Sequence, residues 1–454
     1  MRRKQAHRAR RLRSAAALLC LGAVLATAGP ARAALCGDAN GDGFVTAADA
    51  LATLKLAVRS VYDRRADVAP AGGNARVTAA DALEVLKASV TTRTPRCAGP
   101  SQGRVVVSTA PYDFYSPGGL AVVNVATRAV TFRAAALGGD AVVRTPDDAT
   151  VVVNRKNFNS LQWLDASAPL LPTRKECSVS DGFDSNPQDV VLAGPDKGYV
   201  TAYAGKNLLV VDPSVLFDPA SDPACTRLVK GRIDLSSFDQ DGIPEMDQML
   251  LVGTDLFVAL QRLDPALQPR AGTNGLVVVV DTRTDTVKGT VPLGFANPFA
   301  ETKGLPWDEF RRVFYAGGPG KTATNLDDGG LEAIDPATMQ SAGMLLTGAD
   351  LHADLYDFVV VGTRRAFAIV ADQDANSVVD IDLRKRSVRK VLLSSTSLIT
   401  DLEMTEAGEL WVAYRGETAN DPPGLRVFRV ADDAETTATP IALGQAPFTL
   451  DFLP

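Results

Sequence analysis

A strand repeat of roughly fifty residues runs through most of this chain and dominates what it can fold into. Short runs rich in Val, Leu and Ile alternate with Gly, Asp, Asn and Pro, as β-strands alternate with turns. The second and third strands of seven successive units align as RVVVSTAPY with GLAVVNVAT, TVVVNRK with SLQWLDA, YVTAYAG with NLLVVDPS, LFVALQRL with GLVVVVDTRTD, VFYAGG with GLEAIDPAT, FAIVADQ with SVVDIDL, and LWVAYRG with LRVFRVADD.

Seven units of four strands predict a mainly β chain folded as a seven-bladed β-propeller over residues 100–454. The C-terminal stretch Ala446–Phe452 matches the first strand of a unit, as in Asn186–Leu192, and the unit that begins at Arg104 lacks such a strand. We therefore expect the C-terminus to complete the first blade and close the ring. An eight-bladed ring and a pair of β-sandwiches remain the alternatives.

The repeat resembles the YVTN/YncE-like family of exported propellers. The stretches LAVVNVATRAV and LVVVVDTRTDTV carry this resemblance, and the family tetrapeptide is approached at Tyr199–Ala202. The resemblance implies an exported propeller and names no ligand.

A second signal lies near the N-terminus, where DANGDGFVTAAD at residues 38–49 has the spacing of a calcium-binding loop with a glycine at its sixth position. Calcium takes six to eight oxygen ligands, and such a loop turns sharply on that glycine and ends on a carboxylate. The predicted ligands are side-chain oxygens, one main-chain carbonyl (Phe44) and one direct or water-mediated contact (Thr46): Asp38, Asn40, Asp42, Phe44, Thr46 and Asp49. The alternative is a solvated turn without an ion.

The segment after this loop is repeated, because VTAADALATLKLAV at 45–58 returns as VTAADALEVLKASV at 77–90. Each copy predicts a helix with a capping box, Thr46 with Asp49 and Thr78 with Asp81. Apolar residues at helical spacing are expected to pack the two helices together. They are Leu51, Leu54, Val58, Leu83, Leu86 and Val90.

These two loop–helix units resemble a type I dockerin, an EF-hand-like module whose calcium loops end in Asp. The resemblance implies a small α-helical domain at residues 34–99 and a cohesin-like protein as its partner. The second loop departs from the pattern, since counting back from Asp81 places Pro70, Gly72 and Ala75 at positions 1, 3 and 6. We expect a second ion to be weakly bound or absent.

Residues 1–33 have the pattern of a signal peptide, with a basic start, an apolar run at 15–28 and the small-residue site Ala31–Ala33. An uncleaved anchor is the alternative, although the run is too short to span a membrane. We expect a secreted protein, extracellular, periplasmic or at the cell surface. Without eight of its 47 Lys and Arg, the mature chain keeps 39 against 53 Asp and Glu, a net charge of −14. That balance argues against nucleic acid as a partner.

The four remaining cysteines fit an oxidising compartment. Cys36 and Cys97 bracket the small module, which predicts a disulfide between them, and Cys177 with Cys225 is the other predicted pair. Simple blade topology places Cys177 and Cys225 on opposite faces, so the second pairing requires either that residues 213–224 wrap around the rim or that the strand boundaries differ there from those predicted.

Propeller topology places the second-to-third-strand loops and the connections between blades on one face. The insertions at 263–275, 317–330 and 416–425 lie there, and the second strands end there near a set of Tyr and Arg residues: Tyr112, Arg155, Tyr203, Arg262, Tyr414 and Arg415. Acidic residues near the starts of the innermost strands form either a binding ring or a set of main-chain hydrogen-bond acceptors: Asp140, Asp189, Asp247, Asp357, Asp401 and Asp451. The denser group Asp239, Asp241, Glu245 and Asp247 is either a second calcium site or a solvated turn.

Two functions remain open. The first is a docking module joined to a propeller that binds a protein, a glycan or a surface polymer. The second is a secreted carbohydrate hydrolase that breaks O-glycosyl bonds of polysaccharides, with Glu245 and Asp247 as its candidate carboxylates. His352 is the single histidine after residue 33 and no GxSxG motif occurs, so a nucleophilic triad is not favoured.

Overall fold

The computed structural model describes residues 36–59, 66, 77–90, 103–146, 149–180, 182, 184–220, 222–299, 307–308, 313–320, 326–405 and 407–453. Their main body is a set of seven four-stranded antiparallel sheets. The predicted seven-bladed propeller and the predicted pairing of second with third strands are confirmed in every blade. The predicted signal peptide and Cys97 lie outside the described residues.

Each blade contributes one inner, two middle and one outer strand. From inside to outside the strands are β28 (Pro447–Leu453), β1 (Arg104–Thr109), β2 (Gly118–Asn124) and β3 (Val130–Leu137) in blade one; β4 (Ala141–Arg144), β5 (Thr150–Asn154), β6 (Ser160–Leu164) and β7 (Thr173–Ser178) in blade two; β8 (Pro187–Gly194), β9 (Lys197–Ala202), β10 (Asn207–Val211) and β11 (Val229–Asp234) in blade three; β12 (Met246–Val252), β13 (Asp255–Leu260), β14 (Leu276–Asp281) and β15 (Thr286–Pro292) in blade four; β16 (Trp307–Asp308), β17 (Val313–Gly318), β18 (Gly330–Asp335) and β19 (Gln340–Thr347) in blade five; β20 (Asp354–Val360), β21 (Arg365–Ala371), β22 (Asn376–Asp382) and β23 (Ser387–Ser395) in blade six; and β24 (Ile399–Met404), β25 (Glu409–Tyr414), β26 (Gly424–Arg429) and β27 (Ala434–Glu435) in blade seven.

Burial explains why the middle strands read as unbroken apolar runs. Blades stack face to face, so both sides of β1, β13 and β17 are covered, whereas an outer strand such as β15 is mostly exposed. Apolar area removed from water contributes about 25 cal/mol per Å², so these doubly covered strands supply most of the stabilisation of the ring.

The ring closes as the sequence predicts. Strand β28 pairs with β1 in an antiparallel register that sets Leu453 opposite Arg104 and Leu450 opposite Val107. The last seven-residue strand is therefore the inner strand of blade one. This pairing removes the open edges that the two ends of the chain would otherwise present.

Two helices precede the propeller, α1 (Ala47–Arg59) and α2 (Ala79–Ser89). The predicted packing of their leucine faces is wrong, because Leu51, Leu54, Leu83 and Leu86 are all exposed. A stripe of smaller residues, offset from the leucines along each helix, is buried instead: Ala50 and Thr53 in α1, and Ala82, Val85 and Ala88 in α2. Small side chains let the two helices approach closely, at the expense of apolar burial.

The predicted Cys177–Cys225 disulfide is confirmed, with a Cα–Cα distance of 5.6 Å. The connection between β10 and β11 makes it possible because it leaves blade three through α3 (Pro213–Phe217) and packs on blade two. There Phe217 contacts Trp163 edge to face, and the buried Lys175 Nζ donates to the main-chain oxygens of Val215, Asp218 and Asp222. The segment wraps around the rim, as the pairing requires.

A short fourth helix, α4 (Gly348–Leu351), links blades five and six. Across the part of the chain that the structure describes, none of the helices has the length and apolar character needed to cross a membrane.

Candidate functional site

The N-terminal loop brings three predicted ligands together. Asp38, Asp42 and Asp49 each place a carboxylate oxygen within 4.8 Å of the others. Asp38 is 1% and Asp49 0% exposed, whereas carboxylate side chains usually lie at the surface. Among the described residues this is the one group of acidic, histidine or cysteine side chains close enough to hold a metal ion.

Local backbone geometry holds these oxygens in place. Gly41 and Gly43 have φ values of 70° and 88°, which side chains rarely allow, and the tight turn delivers main-chain N–H groups to the carboxylates. Gly43 donates to Asp38 Oδ2 at 2.7 Å. At the end of the loop, Thr46 donates to Asp49 Oδ2 from its nitrogen and its hydroxyl, so the first turn of α1 fixes the last carboxylate.

Burial is the main electrostatic cost of this arrangement. It raises the pKa of Asp38 to about 7, with the nearby charges of Asp49 and Asp42 adding to the increase. A cation reaches this group from the propeller, since Arg364 Nη1 lies 2.9 Å from Asp42 Oδ2. The oxygen donors of Asn40, Phe44 and Thr46 lie in the same loop, and an all-oxygen set of this kind suits calcium.

The second loop–helix unit has the same helix cap as the first. Asp81 accepts hydrogen bonds from the nitrogen and hydroxyl of Thr78, as Asp49 does from Thr46. The residues that would form the rest of its loop, 67–76, lie outside the described part of the chain.

The N-terminal loop also docks on blade six, which the sequence did not indicate. Thr363 N donates to Gly41 O at 2.8 Å, and the backbones of Gly43 and Gly362 meet so closely that a Cβ on Gly362 would collide with Gly43. The Phe44 ring lies 4.9–5.5 Å from the guanidinium carbons of three arginines: Arg364, Arg365 and Arg389. The contact is on the turn between β20 and β21, and thus on the face opposite the second-to-third-strand loops.

We call that opposite surface the loop face; it carries the second-to-third-strand loops, such as residues 110–117 and 155–159, and the connections between blades. Four of the six predicted inner-strand aspartates are buried here and bond the main chain of the next blade: Asp189 to Met249 N, Asp357 to Leu402 N, Asp401 to Leu450 N, and Asp451 to Thr145 N. These aspartates join blades, and Asp189 also accepts from the buried Arg144 Nε at 2.6 Å.

The other two inner-strand aspartates differ. Asp140 precedes β4 and pairs with Arg155, which also reaches Gln188 Oε1 at 2.7 Å. Asp247 is fully buried between the side-chain amides of Gln248 and Gln261. Burial raises the pKa of Asp247 to about 7.

The acidic group before β12 is organised around an arginine. Arg270 Nη2 bridges Asp239 at 3.1 Å and Asp241 at 2.6 Å. Glu245 accepts the Leu263 N–H, and burial raises the pKa of Glu245 to about 8. These contacts fit the predicted turn, and the group does not meet the spacing that brings the N-terminal triad together.

Aromatic residues form a further group on the loop face. Arg415 lies under the rings of Tyr112 and Phe114, at 5.0 and 4.7 Å. Phe114 contacts Phe448 edge to face, and Arg155 lies 5.3 Å from Phe448. Of these, the sequence analysis selected Tyr112, Arg155 and Arg415 but missed both phenylalanines.

Two tryptophans and His352 lie apart from these groups. Trp411 is buried in blade seven, beside Phe452 and Arg128, and Trp163 packs on Phe217. His352 is exposed at the end of α4. None of these three lies among the described groups of the loop face.

No family model and no curated protein matches the chain. Solved structures with a similar fold include dihydro-heme d1 dehydrogenase NirN (13% identity, 81% of this chain, 78% of that one, TM-score 0.49). Others are AztD from Citrobacter koseri (11%, 76% and 96%, 0.45) and the Cps50 (Swd1) propeller domain from Myceliophteria thermophila (11%, 69% and 91%, 0.47).

Proposed function

We propose that this chain is an exported binding protein whose propeller binds its target on the loop face. The observation that carries this proposal is the position of the N-terminal loop, which docks on the turn between β20 and β21, on the face of the ring opposite the loop face. The loop face carries the long loops, and loops on a rigid scaffold are where binding groups concentrate.

The N-terminal loop is, in this proposal, a structural calcium site. Three carboxylates within 4.8 Å repel one another, and two of them are almost completely removed from water. A divalent cation offsets both costs. The resemblance to dockerins supports this role. The proposal does not include a cohesin-like partner, since the positions before the last Asp of each copy are alanines.

The chain contains a matched pair for testing the ion. Asp49 and Asp81 are both fully buried and both accept from a capping threonine, but only Asp49 belongs to the triad. Asp49→Asn should abolish the rise in melting temperature that calcium gives the wild type, whereas Asp81→Asn should lower stability and keep that rise. An identical melting curve of the wild type in calcium and in EDTA would rule out the site.

The binding role needs a separate measurement. Full-length protein is applied to immobilised cell-surface polymers, and both retention and released sugar are quantified. Retention without product is expected. The hydrolase alternative rests on Glu245 and Asp247, whose carboxylates are buried and accept hydrogen bonds from the protein itself. Product that disappears in Glu245→Gln would replace the binding proposal by a hydrolase.

A further inference from the structure

Exposed aromatic side chains are concentrated at one place on the loop face. Of the residues that the structure describes, the aromatic ones that are largely exposed are Tyr112, Tyr115 and Phe158, at 51%, 66% and 43%. All three lie in two loops, β1–β2 and β5–β6, which belong to neighbouring blades. The partly buried Phe114 contacts Phe448 edge to face, and the two loops meet at Gly138 and Gly139, where Phe158 lies against Gly138 and the main chain of Phe114 against Gly139. We call these five aromatic residues the aromatic patch.

The loops under this patch are held in one conformation. Asp113 Oδ1 accepts the main-chain N–H groups of Tyr115 and Ser116, both at 2.9 Å. The buried Arg415 bridges the main-chain oxygens of Pro111 and Pro447. A surface that is ordered before binding loses less conformational entropy when a ligand arrives.

We propose that the aromatic patch binds a glycan, an inference that rests on the proposed binding role of the loop face. A pyranose has an apolar C–H face and a rim of hydroxyl groups. Aromatic rings offer the C–H face a large apolar surface with a negative π face. Lys156, whose Nζ lies 5.6 Å from the Tyr115 ring, and the exposed Asn157 supply polar groups at the edge of the patch for hydroxyls.

The dimensions of the patch favour a glycan over a folded protein. A stable protein interface takes about 800 Å² and roughly 20–30 residues from each partner. The patch consists of two short loops, residues 110–117 and 155–159, above the start of the inner strand β28. Two loops of that length offer a surface for a few sugar rings.

The test uses the full chain in calcium on a printed array of β-glucan, xylan, mannan and peptidoglycan oligosaccharides, followed by titration of the best ligand. Tyr115→Ala with Phe158→Ala should weaken binding at least tenfold. Tyr115→Phe, which keeps the ring, should stay within about threefold of wild type. Leu398→Ala is the matched control, because Leu398 is an exposed apolar residue next to β24 on the same face.

A cell-surface extract treated with periodate or with protease tests the glycan proposal separately from the broader binding role of the loop face. Retention that periodate abolishes and protease spares supports a glycan. Retention that protease abolishes, with a blank array, overturns the glycan but leaves the binding role standing. Absence of any retention overturns both the glycan proposal and the binding role. Array binding that survives the double substitution with unchanged affinity shows that the patch is not the site.

Discussion

The N-terminal module and the propeller both bury aspartates and both display leucine and valine at regular spacing, but they use these residues differently. In the propeller, Asp189 and Asp401 each accept a main-chain N–H from the next blade, and strand residues such as Val107 are buried. In the module, Asp38 and Asp49 lie beside another carboxylate, and Leu51 and Leu83 face solvent.

The difference follows from how much protein surrounds a buried carboxylate in each part. Seven blades provide every inner strand with a neighbour, so a buried carboxylate can be satisfied by protein donors. Among the residues described there, the two short helices share a core cluster of Cys36, Ala50 and Val85. A domain that small needs a metal, a disulfide or a partner surface for stability, and the docking of Phe44 on blade six supplies one such surface.

The largest expected effect tests the propeller side of this comparison. Asp189→Ala removes the partner of the buried Arg144 and the acceptor of Met249 N–H, which should lower the free energy of unfolding by about 3–5 kcal/mol. The loss should be the same in calcium and in EDTA, as measured by urea denaturation. Asp234→Ala, which breaks an exposed pair with Lys206, is the control and should lower the free energy of unfolding much less than Asp189→Ala does. A loss as small as the control's would mean that the aspartates do not join the blades.

A smaller effect concerns the acidic group before β12. The pKa of Glu245 is raised from 4.5 to about 8, so ionisation opposes folding; the penalty is absent below 4.5 and complete above about 8. The contribution of Glu245 to propeller stability should therefore fall as pH rises from 5 to 8, and with allowance for solvent screening the loss is on the order of 2 kcal/mol. Glu245→Gln should remove about half of the measured slope, because burial raises the pKa of Asp247 by a similar amount, to about 7, and this adds a slope of the same sign.

Asp281→Asn is the control for that pH series. Its partly buried carboxylate has its pKa lowered to about 2 by hydrogen bonds from Arg283, so the stability it contributes is lost only as pH falls from about 4 toward 2. Between pH 5 and 8 the variant should be less stable than wild type by a constant amount and should show the same slope. A wild-type stability that is flat over this window would show that Glu245 is not held in a desolvated position.

The sequence predicted the parts of the molecule that the repeat or a local motif specifies. The repeated strand pattern predicted seven blades, and the missing first strand of the first unit predicted the closing strand. The two threonine–aspartate capping boxes predicted both helices. The position of the triad followed from loop spacing alone. The role of Asp189 stayed open between a binding ring and a blade contact, because only the neighbouring blade decides what its carboxylate accepts.

Contacts between distant segments could not be derived in the same way. Asp42 and Arg364 are 322 residues apart, and nothing in either stretch indicates that they meet. The aromatic patch combines the loop sequence YDFY at 112–115, Phe158 and a residue of the last strand. The aromatic density of that first loop was the available signal, but its meaning depends on the ring closure that brings Phe448 beneath it.

The smallest expected effect tests the module side, where the structure reverses the sequence expectation. Helical spacing groups Leu51 with Leu54 and Leu83 with Leu86, yet the buried stripe passes through Ala50 and Val85. Leu51→Ser with Leu83→Ser should change the calcium-loaded stability of the module by no more than about 0.5 kcal/mol, because surface substitutions of this kind remove little packing. Val85→Ala, at a fully buried position, should cost on the order of 1–2 kcal/mol through lost burial and the cavity it leaves. Both are measured as shifts of the module's own unfolding transition, followed by protease susceptibility at residues 47–59. If the double serine variant is the more damaging of the two, the helices pack through their leucines, and the module resembles the propeller in burying its regular apolar pattern.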